Sequence, residues 1–167
     1  MANLLITIMA VALAAFVLAS GAWYIDTRVG PTNEIKLKSM AGMTSLAAGY
    51  RAFNMSDTQI LPETSWKTSL GSYVTVPQPP GSGLEWIYDC NNDYAVEVAT
   101  CAPGVRHGFC LFGASASEVQ FTGMKRARSQ MSSSQVDIGS SCGAGTYNST
   151  DPASFSTPVA LTYWLTN

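Results

Sequence analysis

The chain has 167 residues, 47% of them apolar and only 12% charged, about half the charged share of an ordinary globular domain. Nine Lys and Arg against eleven Asp and Glu leave a net charge of −2, so there is no basic stripe to neutralise phosphates, which argues against a nucleic-acid partner. One His beside four Cys argues against a zinc centre or a His-based catalytic site.

The charge deficit is concentrated at the N-terminus. From Met1 to Ile25 there is no charged residue. At about 24 residues, the run 2–25 is long enough to cross a hydrocarbon core of roughly 30 Å as a helix. Trp23 and Tyr24 stand at its far end, where amphipathic rings favour the headgroup level. Ala10, Ala12, Ala14, Ala15, Ala19 and Gly21 within it suit close helix–helix packing. The run is too long for a secretory signal peptide and lacks the basic start of one. As a plain anchor it would place Arg28, Lys36, Lys38 and Arg51 in the cytoplasm by the positive-inside rule. The cysteines further on read instead as part of an exported, oxidised domain. A short basic leader cleaved before Met1 reconciles the two.

Gly30-Pro31 predicts a kink, because Pro31 lacks an N–H and crowds the preceding turn. Beyond it Ile35, Leu37, Met40, Met43, Leu46, Ala47, Tyr50 and Phe53 recur at three- and four-residue steps. That spacing predicts an amphipathic helix over about 32–54, with Glu34, Lys36, Lys38, Thr44 and Arg51 on its other face. The apolar stripe is expected to pack on the protein's own sheet. Trp66 to Val76 predicts a helical turn and then a strand at Ser72–Val76, and Pro77 to Gly83 reads as a rigid, turn-rich loop. Leu84–Tyr88 and Tyr94–Val98 alternate around Asn91-Asn92-Asp93, a hairpin signature. Gly108–Phe112 reads as a strand. Ser117–Met131 reads as a short helix whose Lys125, Arg126 and Arg128 form a solvated face. Pro158–Leu165 reads as a strand rich in β-formers. Helix first and antiparallel sheet second is an α+β order: a long N-terminal helix, kinked near Gly30-Pro31, packed on an antiparallel sheet head. Two parts follow, an apolar half-helix over 1–29 and, over 30–167, an amphipathic half-helix with the head.

Cys90, Cys101, Cys110 and Cys142 contain no C-x-x-C, and two disulfides account for them best. Of the three possible connectivities, the favoured one clasps the hairpin with Cys90–Cys101 and staples the loop-rich segment before the last strand with Cys110–Cys142. No catalytic, metal or cofactor site emerges. His107 reads as a surface-loop residue, Asp89 and Asp93 as turn formers beside Cys90, and no G-x-S-x-G elbow occurs. Asn54-Met55-Ser56 and Asn148-Ser149-Thr150 match the glycosylation acceptor pattern.

The layout resembles the type IV pilin family, its type IVb branch most of all. The resemblance is carried by the apolar helix from residue 1, the amphipathic continuation over 31–54, the Trp- and Tyr-rich sheet region and the Cys110…Cys142 loop. Met1 as the first residue also resembles the type IVb subunits. The resemblance implies cleavage by a prepilin peptidase, N-methylation of Met1 and residence in the bacterial inner membrane. It further implies assembly, with the pilus machinery, into an extracellular homopolymeric filament. Met1, Leu4, Leu5, Ile8, Val11 and Phe16 would line the filament core, with Gly21, Gly30 and Pro31 as points where the helix bends. The family usually carries a glutamate at the fifth position, and this chain has Leu5, so only Asn3 and Thr7 offer acceptors near the N-terminal amine. A minor pilin, a pseudopilin of a secretion system and a membrane-anchored periplasmic binding module are the alternatives.

Overall fold

The computed structural model describes residues 28–56, 61–90 and 106–165. Its first element is helix α1, Val29–Ser56. No acidic side chain lies in its first turn and no basic one in its last, so neither end is helped by the helix dipole. Its stability comes from one buried face, and helices in proteins are generally held by such packing more than by propensity. That face holds Ile35, Met43, Leu46, Ala47, Tyr50 and Phe53, interleaved with Thr32, Ser39, Gly42 and Gly49. Leu37, expected on the same stripe, is 61% exposed. At about 100° per residue it points roughly 200° away from Ile35 and cannot share its face. Pro31 falls in the first turn, where its missing N–H would have no helical partner in any case. A bend there would be measured against residues before 28, outside the described set.

A 3₁₀ turn, Glu63–Ser65, leads into the five-residue helix α2, Trp66–Leu70. The strand expected at Ser72–Val76 does not form. Tyr73 N–H and Val74 N–H both donate to Leu70 O, at 2.9 and 3.0 Å, so the backbone there closes the end of α2. The side chain of Val74 fills the space left by Gly49, where a Cβ would collide with it.

Four strands follow: β1 (Leu84–Asp89), β2 (Gly108–Gly113), β3 (Val136–Gly139) and β4 (Val159–Trp164). They form one antiparallel sheet in the order β1-β2-β4-β3. The hairpin expected to join 84–88 to 94–98 falls partly on residues outside the described set. The described neighbour of β1 is β2, with Trp86 opposite Leu111 and Tyr88 opposite Phe109. Strand alternation sorts the side chains onto two faces. One face carries Trp86, Leu111, Leu161 and Ile138 in one row and Tyr88, Phe109, Tyr163 and Val136 in the next. These join the buried side chains of α1 in a single apolar cluster, and α1 comes so close that a Cβ on Gly42 would enter the ring of Trp86.

Helix α3, Glu118–Gln130, starts with a capping box. Ser117 Oγ accepts from Gln120 N–H at 3.3 Å, and Ser117 N–H donates to Gln120 Oε1 at 2.8 Å, so two otherwise orphaned donors satisfy each other's residues. Gln120 Nε2 also donates to Ser82 O at 2.9 Å, tying the Pro-rich loop to the helix. Phe121, Met124 and Ala127 join the main cluster, and Gly123 lets α3 cross α1 beside Ile35, 2.7 Å from where its Cβ would stand.

The opposite face of the sheet is covered differently. Cys110 on β2 is bonded to Cys142, 32 residues away, with the Cα atoms 5.7 Å apart, the pairing favoured for stapling this loop-rich segment. Cys142 belongs to the loop after β3. That loop continues around the β3 edge, where Tyr147 N–H donates to Ile138 O and Ile138 N–H donates to Asn148 Oδ1, both at 2.9 Å, and Ser140 N–H to Thr146 Oγ1 at 3.0 Å. The outward backbone groups of an edge strand, which could otherwise recruit another strand, are thus taken up within the chain.

Candidate functional site

The residues singled out as a filament-core helix, Met1, Leu4, Leu5, Ile8, Val11, Phe16 and Gly21, lie outside the described residues, as does Cys101. Gly30 and Pro31 are exposed in the first turn of α1. Cys110 and Cys142 are paired, Cys90 is also disulfide-bonded, and no free cysteine occurs among the described residues. Among the described residues no helix is long and apolar enough to cross a membrane, and no group of three or more His, Cys, Asp and Glu could hold a metal.

Three features remain from which a function could be built. The first is the outer side of α1. Leu37, Ala41, Thr44, Ala48, Ala52 and Met55 are all exposed, with Met55 at 89%. Their steps of three and four residues form a narrow stripe of mostly small side chains, flanked by the Glu34–Lys38 ion pair at 2.6 Å. The helix therefore buries one face in its own sheet domain and leaves the other, on which this stripe lies, exposed.

The second is a buried polar knot at one end of the sheet. His107, expected on a surface loop, is buried where β2 begins. Its Nε2 is 2.9 Å from the Tyr50 hydroxyl, in a shared hydrogen bond. Its main-chain oxygen accepts from Leu165 N–H at 2.9 Å. The ring also stacks, tilted, near Tyr50 and Tyr88. Asp89, expected to serve a turn, instead ends β1 and is 1% exposed, and the buried Glu63 accepts a hydrogen bond from Cys90 N–H. Burial first, and then the neighbouring Tyr50, Glu63 and Asp89, push the Tyr88 hydroxyl far above its usual pKa. Burial also raises Tyr50. Both tyrosines are held neutral between α1 and the sheet, the Tyr50 hydroxyl bonded to His107 and the Tyr88 hydroxyl buried without a hydrogen-bond partner among the described residues. A sequence signal for this knot did exist, in that His107 opens an apolar strand and Tyr50 lies on an apolar stripe, but nothing in the sequence pairs positions 57 residues apart.

The third is an open groove of about 480 Å³ between the outer side of α3 and the segment 151–155. Glu118, Thr122, Lys125, Arg126 and Ser129 lie along its helical wall and Asp151 and Phe155 along the other, with Phe121 in its floor. Lys125 pairs with Asp151 across it and sits 5.8 Å from the centre of the Phe121 ring. The basic cluster read as a solvated face is thus divided. Lys125 is engaged, Arg126 is exposed, and Arg128 is half-buried with its Nε shielded from solvent.

Of the two glycosylation-like motifs, Asn148 is spent on structure. Its Oδ1 accepts from Ile138 N–H, and its Nδ2 donates to Asp137 Oδ1 at 2.8 Å. A glycan there would break the cover of the β3 edge. No family model, curated protein or solved structure matches the chain.

Proposed function

We propose that the chain is a structural subunit of a type IV pilus-like filament, anchored in a bacterial inner membrane before assembly and extracellular afterwards. The observation that carries this reading is the two-sidedness of α1. It follows the chargeless run 1–25, buries one face in a disulfide-bearing α+β domain, and keeps a small-residue stripe exposed along its length. A helix of this kind joins a bundle of its own copies without exposing apolar surface to water at either stage. The apolar half-helix leaves lipid for a core of identical helices, and the bends expected at Gly21 and Gly30-Pro31 adapt it to that packing. The sheet domain forms the outer surface, where Cys110–Cys142 protects it in an oxidising medium. Leu5 in place of an acid leaves the amine of each subunit to the acceptors of Asn3 and Thr7 or to a second kind of subunit. The partners are other copies of the chain and the assembly machinery. No catalytic role is assigned.

Electron microscopy of sheared surface material, labelled with antibody to residues 31–165, tests the reading. Labelled filaments are expected. Protein found only as a non-filamentous, detergent-soluble anchor overturns it.

A further inference from the structure

The backbone conformation least expected from sequence borders the groove beside α3. Ser156 has φ 76°, in the left-handed region that a residue with a Cβ enters at a cost. It is held there from both directions. Ser156 N–H donates to Ala116 O at 2.9 Å, and Ala116 N–H donates to Thr157 O at 3.1 Å. The turn so clamped projects Phe155 outward. Its ring is 43% exposed and 6.1 Å from that of Phe121, which is buried. Folding Phe155 inward would gain burial free energy, yet a strained residue keeps it at the rim of a cavity. Strain of this kind, maintained by surrounding contacts, concentrates at binding clamps.

The rest of the groove narrows the ligand. Its helical wall runs from Glu118 to Ser129, about 16 Å at the rise of an α-helix, so the site is elongated. Two cations, Lys125 and Arg126, are balanced by two carboxylates, Glu118 and Asp151. There is no net charge to attract a polyanion or a polycation. No lining residue belongs to a strand, so no sheet edge is offered for an extended peptide to join. What the walls offer is a donor (Arg126), the Lys125–Asp151 pair, an acceptor (Glu118) and hydroxyls (Thr122, Ser129) around the exposed ring of Phe155, with Phe121 in the floor. Hydroxyl groups, which both donate and accept, suit that mixture. A pyranose adds a flat C–H face for the phenyl ring.

We propose that this groove binds a short neutral oligosaccharide, one sugar ring lying on Phe155 and its hydroxyls bridging Arg126, Asp151 and Ser129. The inference does not depend on filament assembly. It is tested on the full chain in lauryldimethylamine oxide, a detergent without a sugar headgroup, by saturation-transfer NMR. The neutral probes are lactose, diacetylchitobiose, mannotriose and fucosyllactose, with sialyllactose and a heparin tetrasaccharide as the anionic arms. Saturable binding of at least one neutral probe is expected, weakened about tenfold by Phe155→Ala, which is 1.4 kcal/mol. Ser156→Gly keeps the affinity, since glycine takes the left-handed conformation freely. Ser156→Val, which resists that conformation, weakens binding to about the same degree as Phe155→Ala. Arg126→Ala serves as a second variant of the site should Phe155→Ala misfold, and Leu37→Ala, outside the groove, leaves binding unchanged. No neutral probe saturating below about 10 mM, a stronger anionic arm, or full affinity in both Phe155→Ala and Arg126→Ala overturns the proposal.

Discussion

The two faces of the sheet alternate out of the same strands, yet they are secured by different physics. On the helix side Trp86, Leu111, Leu161 and Ile138 lie across the strands, and α1 and α3 lay whole apolar faces over them. On the other side the apolar cluster is small, Cys110, Cys142 and Ala160 with Ile87 and Phe112 half-buried against them, and Thr162 and Trp164 are buried on the same face. The cover there is a loop of Gly, Ser and Ala, which brings little apolar area of its own. It is fastened by one covalent bond and by directed hydrogen bonds, among them Gly143 N–H to Thr162 Oγ1 at 2.8 Å. Burial is non-directional and spread over many side chains, whereas a tethered loop depends on a few named atoms. The helix face should therefore lose stability in proportion to volume removed, and the loop face through single bonds.

The largest effect expected is from Leu161→Ala, at the centre of the helix side and 0% exposed. About 2–5 kcal/mol is expected by denaturant melt, with the disulfide left intact. A loss below 1 kcal/mol, on the order of a surface change, would erase the contrast. Next comes Cys142→Ser in the presence of the other cysteines. Opening a 32-residue loop should cost about 2–4 kcal/mol. Proteolysis should then cut first between 140 and 150, with α1 still protected. Cleavage of α1 at the same rate would show that the loop side is not an independent weak point.

Alkali sharpens the comparison from the helix side, because Tyr50 and Tyr88 stand between α1 and the sheet. Their folded-state pKa values lie above the ordinary tyrosine value of 10.0, so folding favours the neutral form. That stability is complete below about pH 10 and is lost as the pH rises toward the folded-state pKa. Between about pH 9 and about pH 11 the protein should lose stability, with Tyr88 the larger contributor of the two. Spectrophotometric titration at 295 nm should show a tyrosine that ionises only with unfolding, and Tyr88→Phe should remove most of the pH dependence. A smaller effect, about 1 kcal/mol, is expected from Ser117→Ala, which removes the capping box of α3. Amide exchange at Gln120 should rise while that of the β3 edge stays unchanged.

Much of this arrangement was legible in the sequence. The helix 29–56, the strands at 84–89, 108–113 and 159–164 and the helix 118–130 follow from hydrophobic period and turn chemistry, which are local properties. Val136–Gly139 was not legible. Four residues between Ser-rich stretches make too short a pattern, and the strand exists because β4 pairs with one of its edges and the 140–148 loop covers the other. Ser72–Val76 failed in the opposite direction, since its alternation is good but the N–H groups of Tyr73 and Val74 were claimed by Leu70 O. The pairing of Cys110 with Cys142 was readable because loop-rich, apolar-poor chain needs a staple. The groove was only half readable. Phe121, Thr122, Lys125 and Arg126 share a helix face by spacing, but Phe155 joins them through a clamp to Ala116 that no local rule requires.

The sequence by itself determined the two longer helices and three of the four strands, which side of α1 seeks cover, and where charge is excluded, because period, capping and hydropathy act within a few residues. Tertiary structure alone decided that His107 meets Tyr50, that Gly42 admits the ring of Trp86, and that a left-handed Ser156 holds Phe155 in solvent. Each of those depends on two distant pieces of chain arriving in one place, where shape and unpaired polar groups, more than propensity, choose the neighbours.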